Sequence, residues 1–125
     1  RLSDASLMVY SPVSMTEEAE RMYDAIPGKV QHVVCPNLSP EHWVYAPQAA
    51  RKWPGATFWV CPGAIEGSGV GGVLDGAQMW ADIRQTHDVR VIEDGSCPPE
   101  LCGDVCFAVF QEGWGMFSEA TACFR

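Results

Sequence analysis

The chain reads as an α/β protein. Short runs rich in β-branched residues alternate with stretches whose apolar residues recur at helical spacing, and turn residues punctuate each change. Over the first half the order is β-α-β-α-β, which implies a parallel or mixed sheet covered by helices. With 125 residues, 47% of them apolar, the chain can bury one core, and residues 1–125 are read as a single domain.

Leu7–Tyr10 is a short apolar strand ended by Ser11-Pro12. Ser14-x-x-Glu17 resembles a capping box. Met15, Ala19, Met22, Tyr23 and Ile26 then lie on one helical face, with Glu17, Glu18, Glu20 and Arg21 facing out, and Pro27-Gly28 stops the helix. Val30–Cys35 is a second strand. It breaks at Pro36-Asn37, and Ser39-Pro40-Glu41 has the residues of a helix start. That helix runs to about Tyr45. Pro47 interrupts it and opens another turn over Gln48–Trp53, which Pro54-Gly55 ends.

Ala56–Cys61 is the third strand. Val73–Thr86 has a loose helical register, and Val89–Ile92 is a strand. Glu93–Gly103 is a turn-rich connection. Asp104–Gln111 and Met116–Phe124 read as an antiparallel pair joined at Glu112-Gly113-Trp114-Gly115. A chain closing on strand residues suggests a fragment of something longer, and the N-terminus, without a starting Met, suggests a processed end.

Composition narrows the partners. The net charge is −8, from 16 acidic and 8 basic residues, with no basic stripe. Nucleic acid and anionic lipid surfaces are therefore not expected partners. No apolar run is long enough for a transmembrane helix. Protein partners are expected; the five tryptophans should be mostly core, and an exposed pair would mark an interface.

Six cysteines are present. Cys35, Cys61, Cys106 and Cys123 sit in apolar, strand-like runs, where a free thiol behaves as a small hydrophobe. Reduced thiols in an intracellular or organellar compartment are the expectation. Cys97, Cys102 and Cys106 lack common zinc spacing and an accompanying histidine, so a local Cys97–Cys102 disulfide is preferred to a metal there.

Candidate chemistry concentrates in Val30–His42. In α/β sheets, ligands collect where strands end and helices begin. His42 and Glu41 are the candidate catalytic residues, and His42, Glu41 and Asn37 the candidate metal ligands. The bland alternatives are a helix-start histidine with Trp43 beside it, a first-turn acid, and turn or cap roles for Asn37 and Ser39. His32 alternates with Val30 and Val34 and reads as a satisfied, partly buried histidine. His87-Asp88, Asp104 and Glu112 are weaker candidates. Gly67-x-Gly69-x-x-Gly72, with Glu93 downstream, has the dinucleotide pattern, but six residues separate its first glycine from Cys61.

Three stretches together carry a family resemblance: VYSPVSMTEE, VQHVVCPNLSPEHW and KWPGATFWVCPG. Tyr10-Ser11-Pro12, His32-Val33-Val34-Cys35-Pro36-Asn37 with His42, and Trp53-Pro54-Gly55-Ala56 leading to Pro62-Gly63 resemble motifs of an uncharacterised, metallo-β-lactamase-like family of bacteria and photosynthetic organisms. The resemblance implies a partial αββα sandwich and makes a chloroplast location conceivable. Active members of that fold carry H-x-H-x-D-H after such a strand, which supplies ligands for two metals and a metal-activated water. This chain offers Asn37-x-Ser39-x-Glu41-His42. Both leading histidines are replaced and Asp becomes Glu.

The resulting expectation is a domain without a competent dinuclear centre and with no cofactor. It would act as a structural or binding module or as a subunit of a larger assembly, and is not expected to be an enzyme. One alternative is a metal-dependent hydrolase of small esters or thioesters with a mononuclear zinc or iron site at Glu41 and His42. A second is nucleotide binding through Gly67–Gly72.

Overall fold

The computed structural model describes residues 1–66, 76–112 and 118–125. Its elements run β1 (Leu7–Tyr10), α1 (Glu17–Asp24), β2 (Val30–Cys35), α2 (Ala46–Lys52), β3 (Thr57–Val60), α3 (Gly76–Ile83), β4 (Val89–Val91), β5 (Val105–Gln111) and β6 (Ser118–Phe124). Single 3-10 turns occur at Pro40–His42 and Pro99–Leu101. The architecture is mixed α/β. Strands β1-β2-β3-β4 form a parallel sheet in chain order, and β5-β6 form a separate antiparallel ribbon.

Register assigns side chains to the two faces of the sheet. Tyr10, Val34, Trp59 and Arg90 are in register across the four strands, as are Val9, Val33, Phe58 and Val89. Neighbouring positions along a strand point to opposite faces. Phe58 meets Trp80 of α3, with ring centroids 6.1 Å apart, so its face is the helix side. Trp59 meets Phe107 of β5 at 6.0 Å, so its face is the ribbon side. Tyr23 of α1 packs edge-on against Trp53 at the end of α2, with centroids 5.0 Å apart. Both faces are therefore covered, as continuous runs such as Val33-Val34-Cys35 require.

The ribbon is stitched to the sheet by backbone bonds. Ala120 N–H donates to Pro36 O (2.7 Å), Gly95 N–H to Phe107 O (2.9 Å), and Phe107 N–H to Ser96 O (2.8 Å). The sandwich of two stacked sheets between helices, implied by the resemblance, is not what the described residues show. Opposite the helices lies a two-stranded ribbon, pinned by loops that follow β2 and β4.

Local differences from expectation have local causes. Helix α1 is capped by Thr16, whose Oγ1 accepts the Ala19 N–H at 3.2 Å, and not by Ser14. The preceding backbone is held elsewhere, since Met15 N–H donates to Gln48 Oε1 (2.7 Å). The helix expected from Pro40 is a single turn ending at His42, and α2 begins at Ala46 with Pro47 in its first turn. Gly28 sits at φ +132°, where a Cβ would lie 2.6 Å from Ala5 O, so the α1–β2 turn requires glycine.

Candidate functional site

The carboxyl ends of β1, β2 and β3 gather the expected residues. Ser11 follows β1 at φ +57°, an uncommon conformation for a residue with a Cβ. Its N–H donates to Val34 O at 2.8 Å, which draws the β1 exit onto β2. Its Oγ lies 2.8 Å from His42 Nδ1. His42, on the turn after β2, thus faces the β1 end. Glu41 is exposed on the same turn.

Asn37 turns toward the ribbon. Its Oδ1 accepts Ser39 N–H (3.0 Å), and its Nδ2 donates to Glu119 Oε2 (2.9 Å). Tyr10 Oη donates to Ala120 O at 2.6 Å. The candidate ligands Asn37, Glu41 and His42 therefore face different surroundings. Among the described residues, no three His, Cys, Asp or Glu side chains are grouped to hold a metal ion. At this edge His42 Nδ1 is bonded to Ser11, and the Asn37 amide to Ser39 and Glu119.

Two thiols back this edge. Cys61 N–H donates to Cys35 O (3.2 Å). Burial pushes the Cys61 thiol up to about 12, with the nearby Ser118 hydroxyl opposing. Burial raises Cys35 further still. Neither supplies a thiolate near neutral pH, so both serve as small core residues.

His32 is 5% exposed, and its Nδ1 accepts the Trp59 Nε1–H at 3.3 Å. Burial lowers its pKa, with Asp4 and Glu100 opposing. Arg90 stacks over Trp59, 5.4 Å from the ring centroid, and is bonded to Asp88 (2.6 Å) and Glu100. Beside this stack lies a groove of about 440 Å³, lined by Trp59, Arg90, Glu93, Ser96, Cys97 and Glu100 among others.

The weaker candidates are dispersed. His87 bonds Thr86 (2.8 Å) and packs edge-on against Phe58. Asp88 serves Arg90, and Asp104 accepts Ser3 N–H at 2.6 Å. The four described tryptophans, Trp43, Trp53, Trp59 and Trp80, are all buried. Gly67–Gly72 and Trp114 lie outside the described residues.

The cysteines differ from expectation. Cys97 is bonded to Cys106, while Cys102 and Cys123 are exposed thiols. The backbone bonds between Gly95-Ser96 and Phe107 bring Cys97 beside Cys106. Cys102, closer in sequence, sits on a left-handed turn.

Ser11 and Glu119 were not among the candidates named from the sequence. Ser11 had one signal, its place between a strand end and Pro12. Glu119 had none, since its partner Asn37 is 82 residues away.

Residues 1–65 match the family model described as Domain of unknown function (DUF4336), just over half of the 125-residue chain. No curated protein and no solved structure matches the chain. The resemblance to a metallo-β-lactamase-like family is thereby corrected, because the matching family model is this one and no metallo-β-lactamase family model matches.

Proposed function

We propose, for a chain that belongs to the family Domain of unknown function (DUF4336), the role of a non-catalytic structural or binding module with no resident cofactor, working against a protein partner. One observation carries this reading: the polar side chains at the sheet's carboxyl edge are spent on holding the fold. Ser11 is bonded to His42, Asn37 to Glu119, and Tyr10 to the Ala120 carbonyl. A catalytic centre needs groups converging on an open position; these groups instead tie strand ends to neighbouring segments. The exposed aromatics Phe110 and Phe124 on the ribbon support a protein partner, since aromatic side chains are enriched at such interfaces. In this module no helix among the described residues is long and apolar enough to cross a membrane.

Metal analysis of the purified protein tests the reading. Zinc and iron should be well below stoichiometric, and hydrolysis of p-nitrophenyl acetate should be the same in wild type and His42→Ala. One or two bound equivalents of metal, or activity lost in His42→Ala, would overturn it.

A second reading has one observation in its favour. Ser11 stands at φ +57° on a strand end with its hydroxyl 2.8 Å from an imidazole nitrogen, the pairing an activated nucleophile requires. It would make the chain a hydrolase of small esters or thioesters. A fluorophosphonate probe decides between the two: labelling of Ser11 that disappears in His42→Ala selects hydrolysis, and an unlabelled Ser11 selects the binding module.

A further inference from the structure

Three cysteines form a row across adjacent chain segments on the outer side of the ribbon. Cys106 of β5 is bridged to Cys97 on one side, with Cα atoms 4.1 Å apart. On the other side it is the direct cross-strand partner of Cys123 on β6, which is an exposed free thiol. Direct partners in an antiparallel pair project to the same face, with Cα atoms about 4.5 or 5.5 Å apart. The cross-strand spacing falls in the range a disulfide spans, roughly 4.4–6.8 Å. One sulfur therefore has two neighbours able to bond it, one already bonded and one free.

We infer that this row is a thiol–disulfide exchange centre in which Cys123 displaces Cys97 from Cys106. The Cys123 thiol loses its proton to solvent, and the thiolate attacks Cys106 Sγ. The Cys106–Cys123 bond forms as the Cys97–Cys106 bond breaks, and the bonding pair leaves on Cys97 Sγ, which takes up a proton from solvent. No oxidant or reductant is consumed. Arg125 Nη2 lies 3.8 Å from Cys97 Sγ, so a guanidinium stands where the leaving thiolate forms. A stabilised thiolate leaves faster.

The exchange has a structural consequence. Cys97 and Ser96 line the groove beside Trp59 and Arg90. With the bridge moved to Cys123, the 93–100 connection loses its covalent tie to β5 and keeps hydrogen bonds such as Phe107 N–H to Ser96 O and Val109 N–H to Asp94 Oδ1. A free thiol is then presented on the groove wall. Cys102, on its left-handed turn after the Pro99–Leu101 turn, takes no part.

Disulfide mapping tests the inference. Cleavage after Glu93, Glu100, Glu112 and Glu119 places Cys97 on 94–100, Cys106 together with Cys102 on 101–112, and Cys123 on 120–125, and tandem mass spectrometry of the linked fragments tells a bond at Cys106 from one at Cys102. The full chain is held without added redox agent at about pH 8.5, near the ordinary thiol pKa. It is then quenched in acid, alkylated and digested at acid pH. The 101–112 fragment should appear linked to 120–125 as well as to 94–100, in a ratio that rises with time and then stays constant. Cys97→Ser exposed to oxidised glutathione should close a Cys106–Cys123 bridge, with far-UV circular dichroism confirming that it is folded. The inference is overturned if wild type never shows the 101–112 to 120–125 link. It is equally overturned if folded Cys97→Ser yields only glutathione adducts or intermolecular dimers, or if Cys102 replaces Cys123 in the new bridge.

Discussion

Trp59→Phe should destabilise the protein and raise the pKa of His32 in the same experiment. Trp59 is 4% exposed and donates its indole N–H to His32 Nδ1 at 3.3 Å. Phenylalanine keeps an aromatic ring against Phe107 but has no donor. The His32 nitrogen is then a buried acceptor without a partner, which costs about 1–3 kcal/mol. The missing second ring leaves a void of a few tens of Å³, and at about 24 cal/mol per Å³ this adds roughly 1 kcal/mol. The expected loss is about 2–4 kcal/mol. With a urea slope near 2 kcal/mol per M, the midpoint falls by about 1–2 M. The second readout is independent. Only neutral imidazole accepts a hydrogen bond at Nδ1, so the bond adds to burial in holding the His32 pKa below 6.5. Without it the value moves back toward 6.5, which NMR titration of the ring protons reads directly. The sign for stability follows. Above 6.5 His32 is neutral folded or unfolded, and its contribution is complete. Between 6.5 and the lowered folded value only the unfolded chain takes the proton, so wild type loses stability as pH falls through that window. The variant should lose less. A urea midpoint unchanged from wild type, or a His32 pKa that stays or moves down, would refute the reasoning.

Other substitutions test other joints. Asn37→Asp keeps the acceptor for Ser39 but sets a second carboxylate against Glu119; one of the pair is then held protonated. The variant should be less stable than wild type by roughly 2 kcal/mol at neutral pH, with the gap shrinking below about pH 5 in thermal melts. Gly28→Ala should lower the melting temperature well beyond Gly55→Ala. Both have positive φ, but only Gly28 has a backbone oxygen 2.6 Å from the added Cβ, and the strain is worth about 1–3 kcal/mol beyond the conformational cost. Iodoacetamide at mildly alkaline pH should label Cys102 and Cys123 in the native protein, and Cys97 as exchange frees it, while Cys35 and Cys61 resist and react only in urea. Native labelling of Cys61 would show that the carboxyl edge is open.

Strands β1 and β2 were legible to the residue because β1 is a short apolar run and β2 a β-branched one, each closed by Pro with Ser or Asn, so pattern and punctuation agree. The turn after β2 was legible only as a helix start. What shortens it is Trp43, whose indole N–H donates to Leu38 O at 3.0 Å and whose ring is buried, so the chain turns inward after one turn. The bonds that define the candidate site were not legible. Ser11 to His42 spans 31 residues and Asn37 to Glu119 spans 82, and each depends on where the sheet and ribbon place two unrelated loops. The disulfide failed for a related reason. Proximity in sequence favoured Cys97 with Cys102, whereas backbone pairing of residues 95–96 with Phe107 selects Cys106.

The two ends of the ribbon are therefore held by different chemistry, and this bears on what the chain can do. Near β2 the ties are Asn37 with Glu119 and Tyr10 with Ala120, and breaking them would expose buried polar groups, so that end resists opening. Near β4 the ties are two backbone bonds and the Val109 N–H to Asp94 Oδ1 bond at an exposed connection, and one disulfide with a free thiol beside it. Local opening begins where few buried contacts are lost. Movement should start at the 93–100 connection and the Trp59–Arg90 groove, leaving the Ser11–His42 edge closed. Amide exchange would report this order directly: Phe107 N–H, bonded to the Ser96 carbonyl, should exchange faster than Ala120 N–H, bonded to the Pro36 carbonyl, and faster still once Cys97 is released.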